Sequence, residues 1–347
     1  MNNIRLFHIS HTDLDGYACQ FLTNEVFSKK HFYNANYGLE VKQAIKQVIT
    51  EIKNYQDEKL LLLISDLNLN QQESDELDKE IKSLKDSGFD ITLQLLDHHI
   101  TGKSSASKYD WYFLDDKRCA TKIVFDYLLK EFKAPLNDYK EWVDTVNAVD
   151  IWLENEKENF EFGKVLMSMV TKAREINSIL FNSLDRDFKF YLLKNSIGFL
   201  SLENAPIVLD NSVHSLKKEF LKDGFDDTLD NLSASYLVKS LDKIKDDLTV
   251  YYNGQKGLMT YCLGAISIPA NSFLRANSDY DFFIDVGRKG NASFRADGKL
   301  DVSQLASKLG NGGGHVNASG CKFDDFIDTI NLQEVRAYIQ NKLNNLK

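Results

Sequence analysis

Three short apolar runs rich in branched residues dominate the first hundred positions, and each ends near an aspartate or histidine. They read IRLFHIS at 4–10, LLLLISD at 60–66 and FDITLQLLD at 89–97. Strands apolar along their whole length belong in a sheet covered on both faces, which means a parallel sheet with helical crossovers. The intervening segments supply the helices. GLEVKQAIKQVITEIKN places Val41, Ala44, Ile45, Val48, Ile49 and Ile52 along one helical stripe. NQQESDELDKEIKSLKDSG does the same with Leu77, Ile81 and Leu84 and stops at Gly88, a helix-ending residue. Further helices are expected at CATKIVFDYLLKEF and LNDYKEWVDTVNAVDIW. The fold class is therefore α/β. The polar strand ends fall on the carboxyl edge of the sheet, where open α/β folds bind their ligands.

A chain of 347 residues is too long for one ordinary core and suits two domains. The N-terminal parallel-sheet domain is expected over 1–152. Residues 153–246 hold almost no strand-like run and read as a helical connector. Strand patterns return over 247–347 (LTVYYN, GLMTYCLG, DFFIDVG, NASFRAD), followed by a short helix, the run GNGGGHVNASGCKF and a last helix, so a smaller α/β domain is expected there. Hydrophobic residues at 43% and charged residues at 27% fit a globular protein. The net charge of −9 argues against a binder of long nucleic acid, which needs a basic surface, but permits a small anion held by a few cations or a metal. The four cysteines are scattered and read as reduced thiols. With no basic-then-apolar leader and no apolar run near the roughly 20 residues of a membrane span, the expectation is a cytoplasmic protein with no membrane partner.

The candidate chemistry recurs at four places. HISHTDLDGYA at 8–18 offers His8, His11, Asp13 and Asp15 before Gly16. The second run ends in Asp66, the third in Asp97, His98 and His99, and VDTVNAVDIW supplies Asp144 and Asp150. In an extended segment Asp13 and Asp15 would face one side, and like charges held together call for a cation or a proton between them. A solvated turn explains the first stretch alone, and an aspartate orienting a core histidine explains DHH alone. Neither explains the three strand ends that lie on one sheet edge. Many carboxylates, few imidazoles and no thiolate suit Mn²⁺, with Mg²⁺ as the alternative, better than structural zinc. The count exceeds the needs of one ion. Two ions about 3.5–4 Å apart, bridged by a carboxylate, would use it and would activate a shared water. In the glycine run, Gly312, Gly313 and Gly314 let backbone N–H groups approach an anion, within reach of His315 and the Asn317 amide. Asn311 tolerates a left-handed backbone. For Arg275 and Arg288 a surface role weighs equally.

At these residues the sequence resembles the DHH phosphoesterases, nearly end to end. HTDLDG, Asp66, LLDHH and Asp150 look like that family's four metal motifs in order, and NGGGHVNASG looks like the glycine-rich signature of its DHHA1 domain. VDIW and FRADGKLDVSQLASKLGNGGGH are most similar to the nanoRNase B-type oligoribonucleases. The resemblance implies a DHH metal-binding domain over 1–152 and a DHHA1 substrate-binding domain over 247–347. It implies that Asp13 and His98 each serve one metal, that Asp66 bridges both, and that Asp15 and Asp150 bind the second. It prefers His11 as the first histidine ligand, with His8 as the fallback. It gives Asp144 no metal role. His99 would contact the phosphate or act as general acid, oriented from behind by Asp97. Arg295, with Gly312, Gly313, Gly314, His315 and Asn317, would grip the substrate. The activity implied is a phosphodiesterase with two Mn²⁺ ions that cuts short RNA or linear dinucleotides such as pGpG or pApA to mononucleotides. A pAp phosphatase, a RecJ-like single-strand exonuclease and a catalytically inactive nucleotide-sensing module are the alternatives. Polarity of attack, base preference, RNA against DNA and oligomeric state stay open.

Overall fold

The computed structural model describes residues 3–329 and 331–346. The chain forms two compact units, residues 1–173 with 186–216 and residues 174–185 with 217–347. The fold class is α/β, with a parallel sheet in the first unit and a mixed sheet in the second.

The first unit runs β1 (Ile4–Ser10), α1 (Leu14–Val26), β2 (Lys29–Asn34), α2 (Leu39–Ile52), β3 (Lys59–Ser65), α3 (Gln71–Asp86), β4 (Asp90–Asp97), α4 (Lys103–Ala106), β5 (Tyr112–Leu114), α5 (Ala120–Phe132), α6 (Lys140–Asp150) and α7 (Lys157–Thr171). Its five strands are all parallel in the order β2-β1-β3-β4-β5. The three apolar runs are the three inner strands. Phe7, Ile9, Leu62, Ile64, Leu93 and Leu95 pack with Val48, Ile52, Leu77 and Ile81 of α2 and α3 in one buried cluster. The register pairs Ser10 with Ser65 and Ser65 with Leu96. The residues that follow each of these strands therefore leave the sheet along one row.

Neither edge strand carries a long apolar run. KKHFYN of β2 is half-covered and polar, and β5 has three residues, so neither carries the pattern of a doubly buried strand.

Next come α8 (Asn182–Ser196), α9 (Ala205–Leu221) and α10 (Leu229–Asp242). The helices of 153–246, expected as a connector, are divided between the units: α7 belongs to the first, α10 to the second, and α8 and α9 run through the boundary. The second unit continues with β6 (Thr249–Tyr252), β7 (Gln255–Tyr261), α11 (Ser267–Ala276), β8 (Phe282–Val286), β9 (Asn291–Ala296), α12 (Val302–Gly310), β10 (Gly313–His315), β11 (Ala318–Lys322) and α13 (Leu332–Asn344). Its sheet order is β10-β11-β9-β8-β7-β6, antiparallel except for β7 beside β8, which α11 connects. No described helix is long and apolar enough to cross a membrane.

Candidate active site

Strand β1 ends in a turn that α1 pulls tight. Asp13 caps α1, its Oδ1 accepting from the Gly16 N–H at 3.1 Å. Gly16 has to be glycine, because a Cβ there would meet the His11 carbonyl oxygen at 2.3 Å. The extended geometry expected for Asp13 and Asp15 does not occur, since the helix begins at Leu14 and Asp15 lies inside its first turn. Asp15 reaches the site another way. It is buried, and its two oxygens accept from the Ala120 and Thr121 N–H groups at 2.7 and 2.8 Å, the free donors at the start of α5.

Asp66 follows β3 with a left-handed backbone, φ +56°, a conformation Asp tolerates better than most residues. Its oxygens face different neighbours. Oδ2 lies 3.7 Å from His11 Nδ1, while Oδ1 lies 3.4 Å from His98 Nε2. His11 Nδ1 is 2.8 Å from Asp13 Oδ2. His98 Nε2 is 3.7 Å from Asp15 Oδ2 and 3.6 Å from Asp150 Oδ2. Asp150 is the last residue of α6. Five of the sequence candidates (His11, Asp13, Asp15, His98 and Asp150) thus gather with a sixth, Asp66.

His99 and Asp97 form a pair beside them. His99 Nδ1 is 2.7 Å from Asp97 Oδ1, and the Tyr112 hydroxyl donates to Asp97 Oδ2 at 3.0 Å. Gly102 makes room for this, because a Cβ there would fall 2.0 Å from the Tyr112 hydroxyl. On the outer side the Tyr37 hydroxyl lies 3.3 Å from His99 Nε2, and its ring sits 5.3 Å from that of His11. The sequence reading missed Tyr37, Tyr112 and Gly102. They lie in a short loop, a three-residue strand and a single turn, none of which shows periodicity.

The electrostatics of the cluster call for a cation. Burial, then the charges of Asp15, Asp13 and Asp150, push the Asp66 carboxyl well up. Burial with Asp15 and Asp13 pushes Asp150 up to about 9. Burial would raise Asp13 too, but the hydrogen bond and charge of His11 with the Gly16 N–H outweigh it and hold the group at about 2. His99 is raised by its hydrogen bond to Asp97, against the effect of burial. Asp66 Oδ2 and Asp150 Oδ2 are buried and accept no hydrogen bond, which leaves their lone pairs for an ion. The groups Asp66–His98–His99, His11–Asp13–Asp66 and Asp15–Cys119–Asp150 each bring three ligand atoms within 4.8 Å of one another. The donor set fits divalent metal. It also corrects the expectation of no thiol nearby, since Cys119, at the start of α5, is one of these groups. Burial, Asp15 and Asp150 push its thiol well up.

Two residues weighed in the sequence stand elsewhere. His8, the fallback ligand, is fully buried, with Nδ1 2.9 Å from Thr23 Oγ1 and Nε2 2.8 Å from Ser65 Oγ. Burial lowers it to about 3. It is a core histidine with both ring nitrogens engaged. Asp144 forms an ion pair with Lys122 at 2.7 Å.

In the second unit the register aligns Arg295 of β9 with Ala318 of β11, and Ala318 with His315 of β10. Residues paired across antiparallel strands share a sheet face, so Arg295 and His315 stand on one face in one row. Arg295 is held by Ser267 Oγ at 2.9 Å and by its own neighbour's carbonyl, Phe294 O, at 2.7 Å. Asn317 Oδ1 accepts from Gly298 N–H at 2.9 Å. The glycines differ from one another. A Cβ at Gly312 would meet Gly320 O at 2.2 Å, and Gly314 has φ +146°. The Gly312 N–H is spent on Ala306 O at 3.2 Å, so this glycine answers to packing rather than to an anion. Gly313 alone of the three has open space around it. Asn311 adopts φ +52°, ending α12.

The chain is similar to known proteins in sequence and in fold. A DHHA1 domain family model matches residues 265–345. A protein from Helicobacter pylori (strain ATCC 700392 / 26695), named 3',5'-cyclic-nucleotide phosphodiesterase, is 42% identical, with 99% of each chain covered. Oligoribonuclease NrnB of Bacillus subtilis (strain 168) is 24% identical over 95% of this chain and 76% of its own. The crystal structure of an uncharacterized protein from Helicobacter pylori G27 superposes with a TM-score of 0.91 at 42% identity, covering 99% of both chains. With a relative of this identity matched over its full length, and the strand-end cluster and glycine signature in place, the chain belongs to the DHH/DHHA1 phosphoesterase family.

Proposed function

We propose that the protein is a manganese-dependent phosphodiesterase of small nucleotides, hydrolysing short oligoribonucleotides and linear dinucleotides to mononucleotides. The observation that carries this reading is Asp66, whose two oxygens face two separate sets of ligand atoms. In this reading His11, Asp13 and Asp66 would hold one ion, and Asp66, Asp15, His98 and Asp150 would hold the other. Such a pair, when bound, lowers the pKa of water and neutralises charge on the attacking and leaving oxygens.

The chain's own groups do the rest. Asp97, anchored by Tyr112, fixes the tautomer of His99, so Nε2 is the nitrogen that meets substrate. The ribose oxygen that leaves as an alkoxide needs a proton. His99, raised by Asp97, is placed to supply it from Nε2. In the second unit Arg295, His315 and the uncrowded backbone at Gly313 receive a substrate phosphate. The net charge of −9 supports a short substrate, because each further phosphate of a long strand needs a cation to gain affinity.

A second reading, a 3',5'-cyclic mononucleotide as substrate, is favoured by the name of the 42% identical relative. Both readings are diester hydrolyses that yield a mononucleotide. Incubation with Mn²⁺ and a panel of 5'-pApA, pGpG, 3',5'-cAMP, pAp and a twenty-nucleotide RNA separates them. Rapid cleavage of pApA and pGpG supports the first reading, and cleavage of cAMP alone supports the second. Cleavage of pAp alone, or of the long RNA as fast as of a dinucleotide, overturns both.

A further inference from the structure

Trp152 is explained neither by the metal cluster nor by the packing of the fold. It lies two positions past Asp150, is 60% exposed, and has φ +61°. The local geometry demands that backbone. Helix α6 ends at Asp150, and the Leu153 N–H turns back to Ala148 O at 2.7 Å. This is the six-to-one bond of a Schellman stop, in which the position of Trp152 must be left-handed. Glycine takes that position freely, whereas a residue with a Cβ does so at a cost. Here the position holds the largest side chain available and leaves it in solvent.

The indole is nevertheless held. Its N–H donates to Glu154 Oε1 at 2.7 Å, and its ring stands edge-on to Phe160 at 5.0 Å and 82°. An exposed aromatic plane, fixed in orientation and two residues along the chain from Asp150, has the properties of a stacking platform. Every nucleobase presents a π-face, and a side chain already ordered loses little entropy on stacking. The other tryptophans offer nothing similar. Trp142 is fully buried, and Trp111 stacks on Tyr109 at 4.9 Å.

We propose that Trp152 is the base-binding residue of the site, with a substrate nucleobase stacked on its indole while the neighbouring phosphate lies at the Asp150 cluster. This rests on the reading of the substrate as a nucleotide diester and adds the group that recognises the nucleoside.

The test compares wild type with Trp152→Gly and Trp152→Phe. AMP should quench the tryptophan fluorescence of the Mg²⁺-loaded wild type, and ribose 5-phosphate should not. Trp152→Gly should raise KM for the nucleotide diester about tenfold or more, with a much smaller change in kcat. Trp152→Phe should restore most of that loss. Because glycine suits the backbone, metal stoichiometry and melting temperature of Trp152→Gly should stay close to wild type. If wild type hydrolyses the diester and Trp152→Gly keeps the same KM, or if ribose 5-phosphate quenches as AMP does, the assignment of Trp152 is wrong and the functional reading stands. If wild type hydrolyses neither pApA nor 3',5'-cAMP, the functional reading falls and this proposal with it.

Discussion

Asp66 and His98 meet at 3.4 Å between Oδ1 and Nε2, while the other Asp66 oxygen turns toward His11 at 3.7 Å. A carboxylate at a strand end, with a left-handed backbone and one buried oxygen that accepts no hydrogen bond, is unfavourable in the metal-free chain.

Without metal, stability should fall as pH rises from 7 to 9. Asp66 is raised in the fold and Asp150 is raised to about 9, so the folded chain holds protons that the unfolded chain releases near pH 4. Where the folded state binds more protons, stability decreases with pH, by up to about 1.4 kcal/mol per pH unit for each group. Urea melts in EDTA should show this decline, and Asp150→Asn should flatten it. Saturating Mn²⁺ should abolish the slope, since ligands that have lost their protons to bind metal then match the deprotonated carboxylates of the unfolded chain.

His8 acts in the opposite direction and in a different window. It is lowered to about 3 in the fold against 6.5 when unfolded. The stability it contributes is complete above 6.5 and is lost as pH falls toward 3. His8→Gln should make the stability profile between pH 6.5 and 5 shallower than wild type by about 1 kcal/mol per unit. Parallel profiles for the two proteins would mean that His8 titrates normally.

The sheet edge was legible because each buried strand is an apolar run that ends in a polar residue, so Asp66, Asp97 and His98 announced their place. The parallel register then brought them together. Asp15 was placed for the wrong reason. Its backbone is helical, and what fixes it is a long-range bond to the start of α5, which no local pattern encodes. Strand β2 escaped notice because an edge strand need not be apolar, and β5 because three residues are too few to show a pattern. Tyr37 and Tyr112 escaped because a single hydroxyl contact leaves no period in a sequence. Of the glycines in the GGGH run, the chemistry expected of all three was spatial for Gly312 and Gly314, and only a folded β10–β11 pair shows which is which.

Tyr112 should matter through Asp97. Removing its hydroxyl in Tyr112→Phe leaves Asp97 Oδ2 without its donor, a loss of about 1–3 kcal/mol for a buried acceptor. Steady-state kinetics should show kcat lowered by about tenfold, with KM and metal stoichiometry near wild type. Gly102→Ala should do the same by displacing the Tyr112 ring. An unchanged kcat in both variants would remove Tyr112 from the account.

The glycine unit should govern capture rather than chemistry. His315→Ala should raise KM for a dinucleotide by about tenfold, the scale of one charge-assisted contact of about 1.5 kcal/mol. It should leave bound Mn²⁺ unchanged. Loss of an Mn²⁺ site in calorimetry of this variant would make His315 a ligand instead.

The most direct measurement is a titration of the metal-free protein with Mn²⁺, read by calorimetry and by electron paramagnetic resonance, in wild type and in Asp66→Asn. Asn keeps the side-chain shape and tolerates the left-handed backbone but cannot bridge two cations. Wild type should bind two ions per chain with the coupled signal of a pair about 3.5–4 Å apart. Asp66→Asn should bind no more than one, show no coupling, and lose at least about a hundredfold in turnover. One uncoupled ion in wild type, or full activity of Asp66→Asn, would contradict the two-metal centre.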